Sequence, residues 1–210
     1  MAEDKRTLLL EIASEQFAEL GYEKTSTNQI IQRAGISKGI LFHYFASKKQ
    51  LYASVLDHGL ERIASYMNRR TTDLPSELFG VILARSRVKM EFYLQEPAAY
   101  KLLVGAFAEP VPDEVKDIVD ERRRRMAEHL SVRFEQVDLS RIRAGVDSAL
   151  ALDLVTSVVS LVSNRFIERH RARPDRGLNE VEAFLGELGQ YLEMIRTGIY
   201  LPGTKEENER

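Results

Sequence analysis

The sequence predicts an all-α chain of about nine helices. Every long segment spaces its apolar residues with helical period. No segment alternates with period two for long enough to make a strand. The breaks between segments fall at Gly, Pro and polar clusters of the kind that start and stop helices.

The elements follow in order. Leu9, Ile12, Ala13, Phe17 and Leu20 mark one face of a first helix, and Gly21 ends it at a position suited to positive φ. Ser26 and Gln29 have capping-box spacing for a second helix with Ile30, Ile31 and Ala34 on its apolar face, stopped by Gly35. Ser37 caps a short third helix. Ser47 and Gln50 repeat the capping box and open a longer helix to about Asn68, with Leu51, Val55, Leu56 and Ile63 apolar. Residues 69–75, RRTTDLP, are a polar break. Helices are expected over about 76–95, ended by Pro97, then 98–108, closed by Pro110-Val111-Pro112. Further helices are expected over 113–136, 141–170 and 178–199, with a polar tail, PGTKEENER, at 202–210.

Composition narrows the function classes. Hydrophobic residues make up 44% and charged residues 30%, the balance of a soluble globular chain. The net charge of −2 gives no global signal for nucleic acid, so any such affinity must come from local charge. The absence of Cys excludes thiol chemistry. The opening MAEDKRTLLLEIASEQ carries acids before and within its apolar stretch, unlike a signal peptide. No apolar run approaches the ~18–20 residues of a bilayer span, so a cytoplasmic location without a membrane partner is expected.

The informative stretch is KTSTNQIIQRAGISKGILFHYFASKKQ, residues 24–50. From Lys24 to Leu56 there is no acidic residue. Lys24, Arg33, Lys38, Lys48 and Lys49 give this stretch a local charge of +5. Two short helices joined at a Gly turn, with a positive face, suit a polyanion. A recognition helix needs its first residues at base edges, and Ser37 and Lys38 stand there. Gly39 lets a backbone approach closely. Ile40, Leu41 and Phe45 have the spacing to hold the helix down. Phe42 fits either packing or contact with a thymine methyl, and Tyr44 can offer its hydroxyl to a phosphate. Lys48 lies at the start of the next helix, where backbone N–H groups also favour an anion.

The pattern from Phe17 to Leu51, F-x-x-x-G-Y-x-x-T-S followed by I-x-x-x-A-G-I-S-K-G-x-L-F-H-Y-F-x-S-K-x-x-L, resembles the TetR family of bacterial transcriptional regulators. Gln16, where the family usually has an apolar residue, and Ile31, where it often has Ala, depart from it. The resemblance implies a three-helix DNA-binding head over 1–50 and a ligand-binding and dimerisation domain over 51–201, before the 202–210 tail. It implies DNA contacts at Thr27, Ser37, Lys38, Gly39, Phe42, His43, Tyr44 and Lys48. The partners expected are a double-stranded DNA operator, a small-molecule effector of unknown identity and a second copy of the chain, with no cofactor and no metal.

The C-terminal part has no readable motif. Ala149–Val162 is apolar nearly all round, so it needs cover on two sides. With the stripe of the last helix it suits a four-helix homodimer interface, or a buried pair within one chain. Leu154, Val155, Leu161, Phe184, Leu185, Leu188 and Leu192 are the candidate interface residues. The resemblance implies an effector pocket. Its candidate lining is Phe79, Ile82, Met90, Tyr93, Phe107, Met126, Phe134, Val158 and Phe166, a set suited to an apolar or aromatic ligand.

The expected function is a ligand-responsive repressor released from a palindromic operator. A DNA-binding regulator without an effector is the alternative. A serine hydrolase is the remote one, because Gly35-Ile36-Ser37-Lys38-Gly39 matches G-x-S-x-G. That motif needs a strand before the Ser and a sheet beneath it, and a helix is expected there instead. Arg122–Arg125 is expected to be a solvated face beside Glu121 and Glu128.

Overall fold

The structure, a computed structural model, describes residues 2–72, 74–108, 110–132, 137–170, 176 and 179–199. Nine α-helices stand among them, and no strand: α1 Ala2–Lys24, α2 Thr27–Ala34, α3 Lys38–Tyr44, α4 Lys48–Arg70, α5 Leu78–Gln95, α6 Pro97–Ala108, α7 Asp113–Val132, α8 Ser148–His170 and α9 Val181–Ile199. The all-α class is as the periodicity predicts. An isolated bridge pairs Glu77 with Asp138. The expected end of α7 at 133–136 and the tail at 202–210 lie outside the described residues.

Local chemistry explains most of the boundaries. α1 breaks at Gly21, whose φ of 71° an L side chain rarely adopts. Gly35 ends α2 in the left-handed region. Ser47 Oγ accepts from Gln50 N at 3.1 Å while Gln50 Oε1 accepts from Ala46 N at 3.3 Å, a reciprocal cap for α4. Two expectations are corrected. Ser26 is the N-cap of α2, but its side chain makes no capping bond. Thr25, buried beside it, instead donates its hydroxyl to the carbonyls of Gln16 and Gly21, tying the end of α1 back on itself. The helix expected from 141 starts at Ser148. Residues before it form turns, and Asp147 Oδ1 accepts from the amides of Ala149 and Leu150, fixing the start.

The chain forms two compact units. One comprises residues 1–70 and 91–132, the other 71–90 and 133–210. In the first, α1 packs on α2, α4 and α6, α2 on α3, and α7 on α4 and α6. Leu9, Ala13, Phe17, Ile30, Leu41, Phe45, Leu51, Val55 and Leu56 are its buried core around the head. Phe17, Tyr22 and Tyr52 meet there as an aromatic cluster. A second one, Tyr66, Phe92, Tyr93 and Tyr100, lies further along α4.

In the second unit, Glu77 caps α5 by accepting from the amides of Phe79 and Gly80. α8 packs against α9. Ala151, Val155, Val162 and Phe166 of α8 are buried, as are Val181, Phe184, Leu185, Leu188 and Leu192 of α9. Phe166 and Phe184 meet at 4.9 Å between ring centres. Arg165 reaches both Glu187 and Tyr191.

Part of the expected interface is covered within the single chain. Val155, Phe184, Leu185, Leu188 and Leu192 are already covered within the single chain, because the inner stripes of α8 and α9 face each other. The uncovered apolar residues are Leu150, Leu154, Leu161 and Met194, at 70, 46, 51 and 61% exposure. Only Leu154 and Leu161 of the expected seven are among them. α8 also corrects the expectation that no apolar run approaches a bilayer span. By length and composition alone it reaches one, with a mean hydropathy of 1.5 over an 18-residue window.

Candidate nucleic-acid interface

α3 is short, and its two faces are chemically distinct. Ser37 Oγ accepts from Ile40 N at 3.4 Å, and Phe45 N donates to Leu41 O to close the far end. Leu41 and Phe45 are buried, which anchors the helix. Ser37, Lys38, Gly39 and His43 are exposed, and Phe42 and Tyr44 are half-buried. Lys38 Nζ lies 5.8 Å from the Phe42 ring centre, and His43 meets Tyr44 edge-on at 5.4 Å. A Cβ at Gly39 would meet only Ser37 Oγ, at 3.9 Å, an ordinary contact. The fold does not demand glycine there, so its use is consistent with close approach by something outside the chain. Thr27, half-buried at the start of α2, and Lys48, half-buried at the start of α4, complete the expected set.

The positive charge of this region is partly compensated from outside it. Arg33 pairs with Glu15 at 2.6 Å, and Lys49 with Asp117 of α7 at 2.9 Å. Lys48 Nζ donates to the Glu23 carbonyl at 3.1 Å and lies 4.6 Å from the Tyr22 ring centre. Burial there lowers the Lys48 pKa, against the attraction of Glu114 and Glu23. Tyr22 in turn donates to Glu114 Oε1 at 2.6 Å. Burial, and then that carboxylate, hold the Tyr22 hydroxyl protonated well above the ordinary range. Among the described residues, Lys24, Lys38 and Lys48 have no carboxylate in ion-pair contact.

The four-Arg run corrects its expected reading. Arg124 and Arg125 do sit on the surface with Glu121. Arg122 does not: its side chain is only 11% exposed, and it donates to Asp57 Oδ2 at 2.6 Å and to the carbonyls of Ala53 and Ile118. It therefore clamps α7 to α4. Arg123 reaches the Phe107 carbonyl at 3.0 Å. The sequence gives no signal for the Asp57 partnership, since the two residues are 65 positions apart.

The candidate effector residues are scattered in environment. Phe79, Ile82, Met90, Tyr93 and Phe166 are buried, Phe107 and Val158 are half-buried, and Met126 is 40% exposed. Phe134 lies outside the described residues. A surface groove of about 350 Å³ in the first unit is lined by His58, Arg62, Tyr66, Arg69, Phe92 and Glu96 among others, and by none of these nine.

The hydrolase match finds no support. Ser37 caps a helix and is preceded by another helix, not by a strand.

Comparison with known proteins agrees with the head. The family described as bacterial regulatory proteins, tetR family, matches residues 9–55. The HTH-type transcriptional activator FasR of Mycolicibacterium smegmatis is 32% identical over 104 residues, covering 48% of this chain and 46% of that protein. The HTH-type transcriptional regulator RutR of Escherichia coli is 29% identical over 125 residues, 56% of this chain and 58% of the relative. The HTH-type transcriptional repressor KstR2 of Rhodococcus jostii is 28% identical over 150 residues, 68% and 65%. The chain thus spans about half the length of the first of these and less than two thirds of each. These relatives are named as transcriptional regulators, not enzymes. Among solved structures, the full-length regulator TylP of Streptomyces fradiae superposes with a TM-score of 0.64 at 18% identity, over 96% of this chain and 89% of that one. A TetR-family regulator of Chloroflexus aurantiacus gives 0.61 at 21% identity, over 95% and 94%. These likenesses carry the fold across nearly the whole chain. The motif of the first fifty residues, the family match over 9–55 and the shared all-helical fold make the chain similar to the TetR family of bacterial regulatory proteins.

Proposed function

We propose that this chain is a homodimeric, sequence-specific DNA-binding transcriptional regulator acting in the cytoplasm. The observation that carries the reading is α3: a Ser37-capped helix anchored by Leu41 and Phe45, with Lys38, Gly39 and His43 uncovered in a stretch free of acids. In this reading α3 enters the major groove, and Ser37, Lys38, Gly39, Phe42 and His43 meet base edges or the adjoining backbone. Thr27, Tyr44 and Lys48 hold phosphates and set the register. Residues 1–50 serve as the DNA head and 51–201 as the regulatory and dimerisation part. The dimer face is the uncovered apolar row of α8, Leu150, Leu154 and Leu161, with Met194 of α9. Small residues beside it, Ser157 on α8 and Gly186 on α9, permit close helix approach.

The finer reading is a repressor released by a small, largely apolar or aromatic effector. It rests on the family and on the apolar, aromatic character of the buried candidates Phe79, Ile82, Met90, Tyr93 and Phe166. The relatives' names include both an activator and a repressor, so the sign of regulation is tested separately. The deciding experiment is fluorescence anisotropy with the DNA flanking the chain's own gene. The expected result is tight binding to one inverted repeat, lost in Lys38→Ala and His43→Ala variants that still fold. Binding that is unaltered by both substitutions overturns the assignment of α3 as the reading helix. A promoter-reporter strain with the gene deleted gives the sign: rising expression supports repression, and falling expression overturns it.

A further inference from the structure

The two adjacent lysines at the start of α4 are held by different elements. Lys48 is held by the end of α1, through the Glu23 carbonyl and the Tyr22 ring. Lys49 is held by α7: its ammonium contacts both carboxylate oxygens of Asp117, at 2.9 and 3.1 Å. The second pair is open to water, with Lys49 37% and Asp117 68% exposed. An ion pair this exposed exchanges readily with competing ions. Eight residues further along α4, the shielded Arg122–Asp57 contact already fastens α7 to α4. The fold therefore does not depend on Asp117 to hold these helices together. Asp117 and Glu114 also lie one helical turn apart on α7, so two carboxylates face the part of the head where phosphate is proposed to bind.

Resting on the proposed DNA-binding reading, we infer that Asp117 is an internal stand-in for a DNA phosphate. It occupies Lys49 in the free protein, and a backbone phosphate must displace it before Lys49 can contribute to binding. Lys49 is then a latent phosphate ligand, and α7 sets how much of the head's charge DNA can use. The hydrogen bond from Lys49 holds the Asp117 carboxyl below its ordinary value, as a competent counter-anion requires.

A random-sequence duplex is a sufficient probe, because a phosphate contact does not read sequence. The full chain is titrated with it over a salt series by anisotropy. In Asp117→Asn, freeing Lys49 is expected to steepen the slope of log K against log salt by about 0.9 per subunit, and to tighten binding roughly 5- to 10-fold per subunit at about 0.1 M salt. Lys49→Gln alone is expected to leave the slope almost unchanged, and in the Asp117→Asn background it is expected to abolish the gain. Thermal melts establish that each variant folds. A wild-type slope retained in Asp117→Asn overturns the inference, provided the wild type binds with the expected salt dependence. So does a Lys49→Gln variant that flattens the wild-type slope, since Lys49 would then already reach phosphate. Failure of the wild-type chain to bind any duplex overturns the DNA-binding reading itself, a separate result.

Discussion

Removing Asp57 should cost more stability than removing its partner Arg122. The guanidinium of Arg122 is nearly shielded from water at 11% exposure, while the Asp57 carboxylate is 44% exposed. Arg122 Nε has no hydrogen-bond partner, so the site already carries one unmet donor. Asp57→Ala strands a shielded cation with only two carbonyl acceptors, from Ala53 and Ile118. Breaking a fully buried pair costs ~3–5 kcal/mol, whereas exposed pairs are worth ~0–1 kcal/mol. This pair lies between those limits, which sets the expected loss at about 2 kcal/mol. For a chain of this size that corresponds to a fall in Tm of about 4–8 °C. Arg122→Met removes the shielded charge together with its unmet donor, keeps most of the apolar stem, and leaves Asp57 half in water. Its expected loss is about 1 kcal/mol or less. The double variant should match Arg122→Met. Scanning calorimetry of the three variants at one protein concentration measures this directly, a fixed concentration being necessary for the proposed dimer. A loss in Arg122→Met equal to or larger than that in Asp57→Ala would refute the argument.

Four further outcomes are expected. Leu154→Glu should give a folded monomer that has lost specific DNA binding, whereas Leu188→Glu, fully covered in the single chain, should unfold it; sedimentation and circular dichroism separate the two, and equal loss of helicity in both contradicts the assignment of faces. Gln16→Met should leave stability equal or raise it by up to ~1 kcal/mol, because the buried Gln16 Oε1 accepts no hydrogen bond; a clear fall in Tm points to a hidden partner. Lys48→Ala should weaken operator and random DNA by the same factor and reduce the salt slope by about 0.9 per subunit; altered sequence preference means that Lys48 reads a base. Burial pushes the Tyr52 hydroxyl from 10.0 up to about 12, so the folded state holds that proton more tightly than the unfolded chain; its contribution is complete below pH 10 and is lost between pH 10 and about 12, and a difference titration against Tyr52→Phe that places this phenolate's formation near pH 10 in the folded chain contradicts this.

Elements governed by neighbours in sequence are legible from sequence. Gly21 and Gly35 stop helices where expected, Ser37 caps α3, and Ser47 with Gln50 starts α4. On α3 the spacing alone sets His43 opposite Leu41 and Phe45, whereas Lys38 shares their side and is exposed at the first position of the helix. Other features depend on what lies across from a residue. The apolar stripe of α9 is plain in the sequence, yet periodicity does not say whether α8 or a second chain covers it. Arg122 reads as one of four solvated arginines until Asp57 is seen beside it. The start of α8 lies later than the apolar spacing suggests, yet its signal is in the sequence: Asp147 immediately before Ser148 is an N-cap.

The clamp at Asp57 also divides α4 mechanically. The helix has 23 residues, and at ~1.5 Å per residue the clamp leaves an arm of about 14 Å toward Lys48 and one of about 20 Å toward Arg70. A stiff rod held at such a fulcrum reverses and reduces whatever displaces it. The clamp stands nearer the head end of α4, so a rod turning about it would move Lys48 by about two thirds as much as Arg70, in the opposite sense.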